Sequence, residues 1–157
     1  MSFQACNSKN TIFVRLLKQI PGTLTETKPV VLYVDDDEED RLLLADALSI
    51  VAPGHVIETL PDGVAGLEYL QGRRNNLPCL VVVDLNMPGM NGKEMIKQLR
   101  ADPALQHLAI VAFTTSSNPA DRLECAQYGV DMITKPITFN ELKETVKLLL
   151  TYCDTAA

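Results

Sequence analysis

Four acidic residues stand where apolar runs stop: Asp35-Asp36-Asp37 follows Val30–Val34, and Asp84 follows the still more apolar Cys79–Val83. Two later runs end in Thr114-Thr115 and in Thr134-Lys135-Pro136. Were these run ends brought to one place, Asp84 and the Asp35/Asp36 pair would crowd each other. Clustered carboxylates either take up protons or are neutralised by a cation. An oxygen-only donor set of few protein groups suits Mg²⁺, which keeps several waters and accepts phosphate oxygens as ligands. Lys135 adds a positive point charge and Thr114 a hydroxyl donor. Phosphoryl transfer needs such a set: an in-line nucleophile and counter-charges for the equatorial oxygens. A carboxylate that attacks phosphorus becomes an aspartyl phosphate.

Taken singly, each residue has a plainer reading. Glu38, Glu39 and Asp40 suit the first turn of a helix, where acids complement the dipole. Asp84 alone is an acid ending a strand, Thr114 a turn hydroxyl, and Lys135 a loop lysine before a rigid proline. Their joint occurrence at successive run ends is what calls for a common site.

Positioning them requires particular elements. Val30–Val34 reads as a strand, and Asp37 caps a helix whose apolar residues Leu43, Leu44, Ala47, Leu48 and Val51 follow at helical spacing. Pro53-Gly54 ends it. A second strand is expected at His55–Thr59 and a second helix from Gly63 to about Gln71. Cys79–Val83 is apolar without alternation, which indicates burial on both faces of a parallel sheet. Asn91-Gly92-Lys93-Glu94 resembles a capping box opening a third helix through Arg100. Ala109–Phe113 is a fourth strand. Asn118-Pro119 starts a fourth helix, stopped at Gly129. Asp131–Thr134 is a fifth strand, and Thr138-Phe-Asn-Glu141 opens a last helix to about Tyr152. Strict strand–helix alternation implies right-handed crossovers and a parallel sheet covered on both sides. In such sheets, sites lie outside the carboxyl ends of the strands.

The 157 residues suit one domain, and 46% hydrophobic content is ordinary for a globular chain. Acids outnumber bases 20 to 14, for a net charge of -6; that balance, with no Lys/Arg run, argues against sequence-independent nucleic-acid binding, which needs a basic face. No apolar run approaches the ~20 residues of a membrane span. Residues 1–28 form an N-terminal extension in which Thr11–Ile20 could make a short amphipathic helix, and residues 153–157 form a C-terminal tail. Cys6, Cys79, Cys125 and Cys153 lie far apart without a C-x-x-C pair. They read as structural thiols in a reducing cytosol, and the expected location is cytoplasmic. His55 and His107 receive no role.

The residues Val34-Asp35-Asp36, Asp84-Leu-Asn-Met-Pro-Gly-Met-Asn-Gly92, Thr114 and Lys135-Pro136 resemble the response-regulator receiver (CheY-like) family over residues 29–152. The resemblance implies a doubly wound, flavodoxin-like five-stranded α/β sheet in the order 2-1-3-4-5. It implies that Asp84 accepts a phosphoryl group from a phosphohistidine on a sensor histidine kinase or histidine phosphotransfer protein. Mg²⁺ would be held by Asp36, Asp84 and the backbone carbonyl of Asn86, with Asp35 acting through water or by orienting Lys135. Lys135 would pair with the phosphate, and Thr114 would swing in to hydrogen-bond it. Asn86 and Ser116 resemble positions that tune hydrolysis. Lys135-Pro136 resembles a cis-peptide turn. At Met132 many relatives carry an aromatic switch; a methionine can fill that gap and change rotamer.

With 21 residues after Pro136, no output domain is expected. Signalling would pass through a downstream protein, a phosphorelay or a homodimer, with no nucleic acid and no membrane, and catalysis would be confined to the chain's own phosphorylation and dephosphorylation. Three other readings fit less well. A flavin- or nucleotide-phosphate module would need a Gly/Ser/Thr-rich first loop, where this chain has acids. An aspartate-nucleophile phosphohydrolase would usually carry an acid at Asn86. A scaffold that takes no phosphate would lack an acid, the lysine or the hydroxyl.

Overall fold

β-branched residues dominate the strands, and their side chains alternate between two apolar layers. The computed structural model describes residues 28–155. Its elements are β1 (Val30–Val34), α1 (Glu38–Val51), β2 (Val56–Leu60), α2 (Gly63–Gly72), β3 (Leu80–Val83), α3 (Gly92–Ala101), β4 (Ile110–Thr114), α4 (Pro119–Gln127), β5 (Asp131–Thr134) and α5 (Phe139–Thr155). The expected helix over Thr11–Ile20 lies outside the described residues. The last helix runs beyond Tyr152, so Cys153 and Asp154 belong to α5 and not to a tail.

The five strands are parallel, in the order β2-β1-β3-β4-β5. Leu32, Val34, Val81, Val83, Ile110 and Ala112 face α2, α3 and α4, while Val31, Tyr33, Leu80, Val82, Val111 and Phe113 face α1 and α5. All four residues of β3 are completely buried, which is why that segment shows no alternation in sequence. The doubly wound α/β architecture expected from the strand–helix pattern is therefore present.

Register and caps fix where the strands end. Val34 pairs with Val83, Val83 with Ala112, and Thr114 with Thr134. Beyond the pairs, the Asp84 amide donates to Val34 O at 2.9 Å and the Lys135 amide to Thr114 O at 3.0 Å. Asp37 caps α1 by accepting from the Glu39 amide at 2.8 Å, and the capping boxes at Asn91/Glu94 and Thr138/Glu141 are both made. Two expectations are corrected. Lys135–Pro136 is not cis; no cis peptide occurs among the described residues. Cys79 and Cys153 are not free thiols but a disulfide, with Cα atoms 4.8 Å apart across a sequence separation of 74; Cys125 is free and buried.

Gly92 opens α3 directly beneath the end of β3. A Cβ there would stand 2.2 Å from Asp84 O and 2.8 Å from Leu85 Cα. Backbone cannot yield as a flexible side chain can, so Gly92→Ala should cost about 1–3 kcal/mol through overpacking. Gly72, whose added Cβ would meet nothing within 4 Å, supplies the contrast: Gly72→Ala should be neutral or stabilising by up to ~1 kcal/mol. Urea denaturation midpoints of the two variants check the pair.

Candidate functional site

The carboxyl ends of β1, β3, β4 and β5 deliver Asp35, Asp84, Thr114 and Lys135 to one rim. Asp35 and Thr114 are fully buried and Asp84 nearly so, whereas Asp36 is exposed. One carboxylate oxygen each from Asp35, Asp36 and Asp84 falls within 4.8 Å of the others. This is the crowding that the run ends suggested, and hard oxygen donors in such a group fit a divalent cation.

The buried negative charge is held by a specific set of donors. Asp35 accepts from the Asp37 amide at 2.9 Å and from the Lys135 ammonium at 2.6 Å, and the Tyr33 hydroxyl donates to it as well. Burial, then the charge and hydrogen bond of Asp35, hold the Tyr33 phenol far above its usual range, so it remains a donor. Lys135 also donates to Asp40 at 2.7 Å and stands 3.5 Å from Asp84 Oδ2. Burial works against its charge, but the hydrogen bonds to Asp35 and Asp40 and the charges of Asp35 and Asp84 overcome it, leaving the ammonium's pKa raised.

Asp84 is less well compensated. Burial pushes its pKa up; Lys135 opposes this, and Asp35 adds to it. Two weaker contacts, the Asn86 amide 3.4 Å from Oδ1 and the Thr114 hydroxyl, favour its charged form but do not offset the burial. Thr114 Oγ1 accepts from the Ser116 amide at 3.2 Å and from the Asn86 side-chain amide at 3.5 Å. The Ser116 hydroxyl is engaged elsewhere, donating to Asp121 at 2.7 Å. Met132 lies buried on the α2–α3–α4 side of the sheet, paired across from Ala112, and Pro136 leads into the fully exposed Ile137, 98% accessible.

The structure thus brings Asp35, Asp36, Asp84, Asn86, Thr114 and Lys135 together, with Met132 beneath the rim. Two contributors escaped the sequence reading. Asp40 was assigned only to a helix start, yet it shares Lys135 with Asp35; its place in the first turn behind the Asp37 cap was the available signal. Tyr33 was hidden in an apolar run, where a buried phenol's need for a partner was the only hint.

Because Asp84 has a raised pKa in the folded state, its stability contribution is present below the ordinary carboxylate range and is lost as pH rises through the folded value. In chelator-treated buffer near pH 7, Asp84→Asn should therefore melt higher than the parent, by about 2–4 °C per kcal/mol of relieved desolvation. The difference should shrink as pH falls toward 4, about the ordinary carboxylate value. Calorimetric scans over that range check both parts.

Comparison with known proteins agrees with this geometry. Residues 31–147 match the family described as response regulator receiver domain. The chain is 36% identical to part of the hybrid signal transduction histidine kinase D of Dictyostelium discoideum, covering 79% of this chain and 8% of that one. It is 30% identical to response regulator Rcp1 of a Synechocystis strain, over 75% of this chain and 84% of the relative. The Mn²⁺-bound form of Rcp1 superposes with a TM-score of 0.69 at 28% identity, covering 78% of this chain and 92% of that one. A phosphorylated cyanobacterial phytochrome response regulator, RcpA, superposes with a TM-score of 0.73 at 28% identity, covering 83% and 97%. With the sheet order, the acidic cluster and the family match in agreement, the chain belongs to the response regulator receiver domains of two-component signalling.

Proposed function

We propose that this chain is a phosphoacceptor switch: Asp84 takes a phosphoryl group from a phosphohistidine on a sensor histidine kinase or histidine phosphotransfer protein. The observation that carries the reading is the Lys135 ammonium, 3.5 Å from a buried Asp84 carboxylate whose pKa burial keeps raised. A carboxylate oxygen of Asp84 attacks phosphorus, the N–P bond to the donor imidazole breaks, and the imidazole leaves with a proton from solvent. Lys135 stabilises the charge on the phosphoryl oxygens; it needs only to turn from Asp40. Thr114 donates its hydroxyl to the phosphoryl group, and that inward motion withdraws the acceptor of the Ser116 amide and shifts the start of α4.

Asp36, Asp84 and the carbonyl of Asn86 would hold Mg²⁺, with Asp35 bound through water or keeping Lys135 in place; the ion would offset the charge of the attacking and equatorial oxygens. Asn86 and Ser116 flank the path of a hydrolytic water and set the phosphate's lifetime. Met132 stands in for the aromatic switch, its flexible thioether following the movement of Thr114. Output goes by protein contact to a downstream target or a second copy, with no nucleic acid or membrane involved. The reading includes a cytoplasmic location, where ATP-derived phosphohistidine is made. No helix among the described residues is long and apolar enough to cross a membrane.

Incubation with Mg²⁺ and acetyl phosphate should add one phosphate by intact mass, absent with chelator and absent in Asp84→Asn. No adduct from small donors or from histidine kinases would sink the proposal. Asp36→Asn should weaken Mg²⁺ binding about tenfold, corresponding to ~1.4 kcal/mol for one lost charge, read by cation titration of the melting temperature. Thr114→Ala should still take phosphate but lose the accompanying change in amide exchange over residues 115–127.

A further inference from the structure

The pole of the sheet opposite the acidic rim carries a second chemically distinct feature. Cys79 stands just before β3 and Cys153 in the last turn of α5, and the two are joined. An open cleft of about 470 Å³ lies against them, its walls including both cysteines, Lys28, His107 and Leu108. Cys79 is half-buried and Cys153 buried, and both line the cleft, which is the route by which a small molecule would meet the sulfur pair.

The helix end that the bond secures is weak by itself. The last turn of α5 has no basic residue, and Asp154 places a negative charge at the negative end of the helix dipole. Leu149 packs into the core one turn earlier, and Tyr152, half-buried against the same cluster, donates to Asp131 at 2.6 Å. The terminal turn is thus covalently tied to β3 at a point where local helix energetics favour fraying.

We propose that Cys79–Cys153 is a thiol–disulfide exchange site for small thiols and disulfides, and that its redox state decides whether the last turns of α5 stay docked on the sheet. In the oxidising direction the two cysteine thiols give up two electrons and two protons, and the small disulfide's S–S bond breaks to give two thiols. In the reducing direction a dithiol thiolate attacks one sulfur and the other cysteine leaves as a thiolate that is protonated; the dithiol's second thiolate then attacks the mixed disulfide, closing its own disulfide and releasing the first cysteine, which is protonated in turn. Lys28, a cation on the cleft wall, favours the anionic attacking and leaving sulfurs. The site requires no phosphoryl chemistry at Asp84, so its test stands apart from that reading.

The full chain is first equilibrated with oxidised glutathione, then denatured and alkylated. Peptide mapping is expected to find Cys125 alkylated and Cys79 and Cys153 protected, and all three alkylated after dithiothreitol. Dithiothreitol added to the folded protein should reduce the bond faster than the slowest β3 amides exchange, since those amides report global opening. On reduction, amide exchange over residues 148–154 should rise about tenfold relative to that over residues 95–99, a change in local opening. Cys79→Ser and Cys153→Ser should each reproduce the rise without reductant, so either variant suffices should the other fold poorly. Alkylated Cys79 and Cys153 after glutathione treatment, reduction no faster than core exchange, or an unchanged ratio would each overturn the proposal.

Discussion

A carboxylate taken out of water costs several kcal/mol even after relaxation, and it is tolerated only beside a well-placed partner. In this molecule that partner is the Lys135 ammonium, bonded to Asp35 and Asp40 and near Asp84. Lysine and Asp35 are separated by 100 positions in the chain, so the pairing exists only once the whole sheet is assembled. The order β2-β1-β3-β4-β5 sets β1 and β3 side by side and carries β5 to the far side of β4; the long lysine side chain spans that gap. The rim's polarity and the fold's topology are in this sense one constraint.

The two apolar layers make the constraint effective. Because β3 is sealed on both faces, Asp84 has no freedom to move toward water without disturbing Val83 and Leu85, both buried. Gly92 closes off the remaining direction by letting α3 approach the Asp84 carbonyl. A rigid scaffold with a charge imbalance at its edge is well suited to switching, since a new anion there is accommodated by rotating side chains and loops and not by deforming the core.

Legibility from sequence followed the range of the physics. Asp84, Thr114 and Lys135 stood out because each is a polar residue ending an apolar run, a local pattern. Strand positions were readable to within a residue for the same reason, as β2 and β4 show, while the last helix runs three residues past its expected end. Asp40 and Tyr33 were not legible as site residues, because an acid in a first turn and an aromatic in a strand each have a sufficient local explanation; only the fold aims them at Lys135 and Asp35. The Cys79–Cys153 bond was misread as free thiols because a separation of 74 carries no local signal. The family resemblance supplied the strand order and the metal roles, which periodicity could not have yielded, but its cis turn at Lys135–Pro136 did not carry over.

The same strand order has a consequence for assembly. β2 and β5 are the margins of the sheet, with unpaired backbone groups that could template growth by another chain's strand. β2 presents Glu58 among half-open positions, a charge that resists a flat strand-on-strand contact. β5 is only four residues long and is followed closely by Pro136, which has no amide hydrogen to donate. Both borders are thereby blunted against sheet extension by another chain's strand.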